Sequence, residues 1–162
     1  MTSPRATYRL QLRAGFGFKE TAALAPYLAQ LGVSHVYLSP FFKARPGSSH
    51  GYDITNHSEL NPELGTEADY RAMIEALDRA GLKRLLDFAP NHMGVGGADN
   101  LLWLDVLEWG EDSAYAGWFD IDWLAGGGKL LAPVLGEQYG EALRAGTRRS
   151  CSRSRPRSRV PG

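Results

Sequence analysis

The sequence predicts an α/β fold with parallel strands, and three observations carry the prediction. Strand-like and helix-like hydrophobic periods alternate from Tyr8 to Phe88. Polar, chemistry-bearing side chains gather after the second and third strand-like segments, with no phosphate-binding loop after the first. The stretch they gather around, LLDFAPNHMG at 85–94, runs from a short apolar segment into Asp87, Asn91 and His92. Ligands bind at the carboxyl ends of strands in parallel α/β sheets, and Pro90 breaks the ladder where Asn91 and His92 are presented. Strand, helix, strand, helix, strand with right-handed crossovers opens both a doubly wound sheet and a (β/α)8 barrel. The position of the chemistry decides for the amino-terminal part of a (β/α)8 TIM barrel, about three strands, with part of an inserted subdomain after the third strand.

The first strand is read at Tyr8 to Arg13, where Tyr8, Leu10 and Leu12 alternate with Arg9, Gln11 and Arg13, the period of an ordinary edge strand without chemistry. The turn GFGF at 15–18 lacks the third glycine of a dinucleotide loop, and Glu20 in its place would set a charge against a pyrophosphate. Leu24, Tyr27, Leu28 and Leu31 mark a helix ending at Gly32, and Pro26 is expected in or near its first turn. Val33 to Leu38 reads as a buried strand in which His35 is a core or sheet-face histidine. Residues 39–65 form a connection long enough to be functional, carrying Lys43, Arg45, His50, Tyr52, Asp53, Asn56 and His57. Thr66 and Asp69 make a capping box for a helix striped with Tyr70, Met73, Ile74 and Leu77. Leu85, Leu86 and Phe88 then read as a buried strand, and Asn100 to Glu108 as a short helix. Most of Trp103, Trp109, Tyr115, Trp118, Phe119 and Trp123 are expected in a core, although such rings also suit a sugar-facing surface.

Charge is unevenly spread. The 18 basic and 18 acidic residues cancel, but seven arginines (144, 148, 149, 153, 155, 157, 159) fall in 144–162 with no acid among them. Residues 1–143 are therefore net acidic, which gives no reason to expect nucleic acid there. The one cysteine, Cys151, excludes an internal disulfide framework, and no apolar stretch at the amino end resembles a secretory signal. A cytoplasmic protein is expected. The organisation read from these patterns is barrel strands and helices over 1–94, a partial inserted subdomain over 95–143, and a disordered Arg/Ser-rich tail over 144–162 of the kind a frameshift or truncation would leave.

HGYDITNHSELNPELGT at 50–66 and LLDFAPNHMG at 85–94 resemble the second-strand loop and the first conserved region of the alpha-amylase superfamily, (β/α)8-barrel enzymes acting on α-glucosidic bonds. Read outward, TYRLQL, FGF, PYLAQLGVSHVYLSP, ARPGSSHGYD, NHMGVGGADNLLWLDVLEWGEDSAYAGWFDIDW and KLLAPVLGEQYGEAL resemble one glucosylmutase branch of that superfamily, over about Thr7 to Leu143. Members of that branch turn the reducing-end α-1,4 linkage of a maltooligosaccharide into an α,α-1,1 linkage. The resemblance implies substrate-binding roles for Tyr52, which stacks on the reacting glucose, Asp53, which helps hold that subsite, His92, which bonds its 6-hydroxyl, and His50. It implies structural support from Asp87, orienting a later arginine, and from Asn91, tying the third-strand loop to the insertion.

The resemblance further implies a maltooligosaccharide or α-1,4-glucan substrate and a place in trehalose biosynthesis beside a maltooligosyltrehalose trehalohydrolase, with no nucleic-acid or membrane partner and no cofactor. In related amylases the asparagine at Asn91 serves as a calcium ligand; the accompanying carboxylates are not evident in this chain, so no metal is expected. Retaining transfer needs two carboxylates roughly 5 Å apart across the reacting carbon. No acid in 1–143 matches the motifs that supply them, and Asp105, Glu108, Glu111, Asp112, Asp120 and Asp122 read as surface or subdomain acids. No catalytic residue is therefore assigned, and the chain alone is expected to be inactive and, with open sheet edges, poorly stable and prone to aggregate. Two other readings stand beside this one: a different α-glucan hydrolase or transferase of the superfamily, and a non-catalytic glucan-binding body with a nucleic-acid-binding basic tail.

Overall fold

The computed structural model of the chain describes residues 3–131 and 138–146, in two compact units divided between Phe119 and Asp120. The first unit holds β1 (Thr7–Leu10), α1 (Phe18–Gln30), β2 (His35–Leu38), β3 (Phe42–Ala44), β4 (Ile54–Leu60), α2 (Glu67–Arg79), β5 (Lys83–Leu86) and α3 (Leu101–Trp109). β1, β2 and β5 form a parallel sheet in that order, with Arg9 opposite Tyr37 and Tyr37 opposite Leu85. Register and the two-residue period put Arg9, Tyr37 and Leu85 on one face. Leu10, Val36 and Leu38 lie on the other and join Leu12, Phe18, Ala25 and Leu28, with Met73 and Leu77 of α2, in one buried core. Both helices therefore cover the same face. Consecutive right-handed crossovers stepping one way across a sheet give this arrangement, and it is the one-sided wrapping of a barrel rather than the two-sided wrapping of a doubly wound sheet.

Several elements depart from the sequence expectation. α1 begins at Phe18, so Pro26 lies inside it and not in its first turn. Glu20 accepts the Gly17 N–H at 2.8 Å, Thr21 Oγ1 donates to the Gly17 carbonyl at 2.8 Å, and Phe18 is fully buried. Burying a side chain the size of Phe or Leu is worth about 1.5–3 kcal/mol. That offsets much of the proline's cost, since Pro26 sits on the exposed side where water can serve the carbonyl that loses its donor. The buried stripe is consequently Phe18, Thr21, Ala25 and Leu28, while Tyr27 and Leu31 are exposed. Gly17 serves packing: a Cβ there would lie 2.1 Å from the Leu64 carbonyl oxygen.

The second departure is the connection at 39–65, which contains the antiparallel ribbon β3–β4. α2 is capped as its sequence indicates, with the Asp69 N–H donating to Thr66 Oγ1 at 3.2 Å and Asp69 accepting the Thr66 N–H at 2.9 Å. β5 is not the buried strand expected. Leu86 is 53% and Phe88 49% exposed, because β5 pairs only with β2 among the described residues.

Nor do the later aromatics form a core. Trp109 and Trp118 are exposed and the other four half-buried, and four of the rings pair, Trp103 against Phe119 at 5.0 Å and Tyr115 edge-on to Trp118 at 5.9 Å. The second unit, from Asp120, has a turn over 122–128 closed by Gly126 N–H to Asp122 O at 3.2 Å and Gly128 N–H to Trp123 O at 2.8 Å, and a short helix α4 (Tyr139–Arg144). The tail read over 144–162 starts at Arg144, the last residue of α4, and its remainder, 147–162, lies with 132–137 outside the described residues. No helix among the described residues is long and apolar enough to cross a membrane.

Candidate functional site

The site is built where β1, β2 and β5 end. β5 pairing continues one residue past the strand, with the Asp87 N–H donating to the Leu38 carbonyl at 2.9 Å, so the Asp87 carboxylate falls on the face that carries Arg9 and Tyr37. There Arg9 Nη1 donates to Asp87 Oδ2 at 2.8 Å and the Tyr52 hydroxyl donates to the same oxygen. Arg9 Nη2 reaches Tyr52 Oη at 3.3 Å, and the guanidinium lies 4.7 Å from the centre of the Tyr37 ring. Burial alone would raise the Asp87 pKa, but the bonds from Tyr52 and Arg9 outweigh it and hold the carboxyl below its ordinary value. The bond to that carboxylate pushes the Tyr52 phenol up, so it stays protonated as a donor, and raises Arg9 further. Asp87 is thus an ionised acceptor engaged by Tyr52 and Arg9.

Tyr52 is delivered by the loop between β3 and β4. Gly51 has φ +77° and a Cβ there would lie 2.6 Å from the Pro40 carbonyl oxygen, so only glycine makes this turn. His50 stacks beside Tyr52 with ring centres 6.0 Å apart and planes 23° from parallel. His50 Nδ1 accepts the Tyr52 N–H at 3.0 Å, which leaves that nitrogen unprotonated; its 3.9 Å approach to Asp53 is therefore not an ion pair. Asp53 is instead held by the Ser48 hydroxyl.

His92 joins this loop from the other side. Its Nε2 lies 3.1 Å from the Tyr52 carbonyl, to which it donates, and Nδ1 faces the Asn91 amide at 3.3 Å. Gly94 N–H donates to the Ile54 carbonyl at 2.7 Å, and a Cβ on Gly94 would lie 2.8 Å from the Asp53 carbonyl oxygen, so the segment after β5 is pinned against the start of β4.

Tyr52, Asp53, His50, His92, Asp87 and Asn91 are therefore brought together. Asp87 holds Arg9 and Tyr52, and the tie from the post-β5 loop to the next helix is made by Asn100, whose Nδ2 donates to the Gly94 carbonyl at 3.0 Å while Oδ1 caps α3 at Trp103. Lys43 and Asn56 pair with Glu59, and His57 packs between Phe42 and Phe88. Arg9, Gln11, Tyr37 and Ser48 were not singled out by sequence. The signal existed for the first three: Arg9 and Gln11 alternate with Leu10 and Leu12, which places them on the face shared with Tyr37 and Asp87. Among the described residues no three His, Cys, Asp or Glu side chains group as a metal-holding set.

The sequence profile of the alpha amylase catalytic domain matches residues 22–141. The chain belongs to the alpha-amylase family. Within that family it is 44% identical over 137 residues, 81% of its length, to a protein of Mycobacterium tuberculosis assigned as a maltooligosyl trehalose synthase. The solved structure of maltooligosyltrehalose synthase from Arthrobacter ramosus superposes with a TM-score of 0.81 at 42% identity over 86% of this chain. The maltogenic alpha-amylase of Bacillus acidopullulyticus is 37% identical over 95 residues, 59% of this chain and 15% of its own length. The chain spans 18% of the length of each of the first two relatives.

The structural likeness to the Arthrobacter ramosus enzyme, with the amylase-domain match, identifies β1, β2 and β5 as barrel strands. The cluster around Tyr52 accordingly stands at the carboxyl end of an alpha-amylase barrel, the face on which such barrels carry their chemistry.

Proposed function

We propose that this chain supplies the amino-terminal portion of a maltooligosyltrehalose synthase, a (1→4)-α-D-glucan 1-α-D-glucosylmutase. The observation that carries the reading is the convergence of Tyr52, His50, Asp53 and His92 from two separate loops onto one end of the parallel sheet. In this reading the Tyr52 ring stacks on the C–H face of the glucose unit whose anomeric carbon reacts. Asp53, kept in place by Ser48, accepts hydroxyl bonds of that sugar. His92 accepts the 6-hydroxyl at Nδ1, which faces the Asn91 side chain 3.3 Å away, while Nε2 stays on the Tyr52 carbonyl. Contacts that tighten as the ring flattens toward an oxocarbenium-like state lower the barrier.

The reaction breaks the bond from C1 to the O4 of the reducing-end glucose and re-forms C1–O with the anomeric hydroxyl of that same glucose, so mass is conserved and the reducing end is lost. The reading assigns the nucleophilic and acid/base carboxylates to later barrel strands, and Asp87, engaged by Arg9 and Tyr52, to neither role. A cytoplasmic trehalohydrolase would consume the product.

A second reading, an α-glucan hydrolase, is favoured by the likeness to the maltogenic amylase. Grafting residues 7–143 in place of the matching segment of the Arthrobacter ramosus enzyme separates them. Incubated with maltopentaose, the graft is expected to yield a non-reducing isomer of equal mass. Release of maltose or glucose without that isomer supports the hydrolase, and no conversion contradicts both.

A further inference from the structure

We propose that Arg9 of β1 and Gln11, one residue past the end of that strand, are positioning residues that help hold the Tyr52–His50 ring pair as a preset wall for the sugar. The two rings sit on a loop, and the His50 side chain is 53% exposed. Their mutual bond, Tyr52 N–H to His50 Nδ1, lies within the loop and does not fix its place over the sheet. Asp87 accepts the Tyr52 hydroxyl and His92 holds the Tyr52 carbonyl, and two further tethers come from the first strand and the residue after it. Arg9 Nη2 holds Tyr52 Oη at 3.3 Å while Nη1 is anchored on Asp87. Gln11 Nε2 holds the His50 carbonyl at 3.3 Å and the Ser49 carbonyl at 3.4 Å.

The two tethers are also joined, since Gln11 Oε1 accepts from Arg9 Nη2 at 3.4 Å. A guanidinium only donates, so the amide oxygen must face Arg9 and the amide nitrogen the loop, and a single orientation of Gln11 serves both neighbours. A wall fixed beforehand spares the ordering of loop and rings on binding, which is how preorganisation raises affinity. The inference rests on the reading of Tyr52 as a sugar platform, and its test separates the two.

The chain contains four histidines, so label in histidine Cε1 gives a short list of signals in which His50 reports the Tyr52 ring beside it and His35, buried on β2, reports the fold. Tyr52→Leu marks the His50 position with the wall removed. In the dilute full chain, Arg9→Met and Gln11→Ala are each expected to move the His50 signal at least halfway to that mark. His35 stays in place, and maltopentaose binding weakens about three- to tenfold.

Arg9→Lys keeps a charge beside Asp87 without the forked geometry and is expected to shift His50 in the same direction. It decides the case if Arg9→Met disturbs His35 as well. A His50 signal unmoved in Gln11→Ala and Arg9→Lys overturns the proposal, as does a His50 shift with maltopentaose affinity kept at the level of the parent chain. If the parent chain binds no maltopentaose, the glucan reading fails while the His50 signals still report whether the tethers hold the rings.

Discussion

Asp87 shows how much one side chain governs. Its carboxyl, though half-buried, is held below the ordinary aspartate value because two donors outweigh burial. A group whose pKa is lowered by folding stabilises the fold above its unfolded value, near 4, and that contribution is lost as pH falls through the lower folded value. Glu20 and Asp69 are also held low, by bonds to Gly17 and Thr66, so urea denaturation followed downward from pH 5 is expected to show stability falling below about pH 4 through all three carboxyls. Asp87→Asn should make this limb shallower and leave the protein weaker at neutral pH, where Arg9 loses its counter-charge. A limb of unchanged slope would show that Asp87 does not contribute to it. Tyr52→Phe keeps the ring but removes the hydroxyl shared by Asp87 and Arg9, and is expected to lower stability at pH 7 by about 1–2 kcal/mol in the same assay. At this scale Tyr52, Asp53 and His92 were legible because short motifs carried them. Arg9 was not, because a strand that alternates apolar and polar residues reads as an edge strand until its register with Tyr37 is known.

Among the elements, α2 was readable because its cap is written in side chains. Thr66→Ala removes the acceptor for the Asp69 N–H and is expected to cost about 1 kcal/mol by thermal or urea unfolding. α1 was misjudged because proline was weighed against local helix geometry alone, whereas burial of Phe18, Thr21 and Leu28 on both sides of Pro26 carries the helix through it. Pro26→Ala restores the missing donor against a gain in unfolded-chain entropy, and a net stabilisation of about 1–2 kcal/mol is expected. The β3–β4 ribbon escaped notice because ITNHSEL places only Ile54 and Thr55 in the interior and then turns polar, with bulged pairing that breaks any period. The aromatics from Trp103 onward looked like core because ring count says nothing of layer depth; in the fold none of the six is fully buried, and Trp103–Phe119 and Tyr115–Trp118 pair near the surface.

For the whole molecule, the one-sided covering of the sheet is the feature that separates barrel from doubly wound architecture, and periodicity alone left both open. β1 and β5 each pair on one side among the described residues, and Leu86 and Phe88 stand half exposed at the end of β5. Unpaired strand edges beside apolar side chains recruit other chains. Sedimentation velocity on the 162-residue chain is expected to show a monomer when dilute and growing association as concentration rises, whereas a single monomeric boundary at high concentration would refute this.

In the proposed function Tyr52 and His92, brought within one hydrogen bond of each other by two loops, receive one glucose unit of an α-glucan. Saturation-transfer NMR of the chain with maltopentaose tests it most directly. Transfer is expected to concentrate on the ring protons of a single glucose, to be lost in Tyr52→Ala and His92→Ala, and to be absent with β-linked cellopentaose. Transfer of equal strength in both variants, or to both sugars alike, would contradict the account.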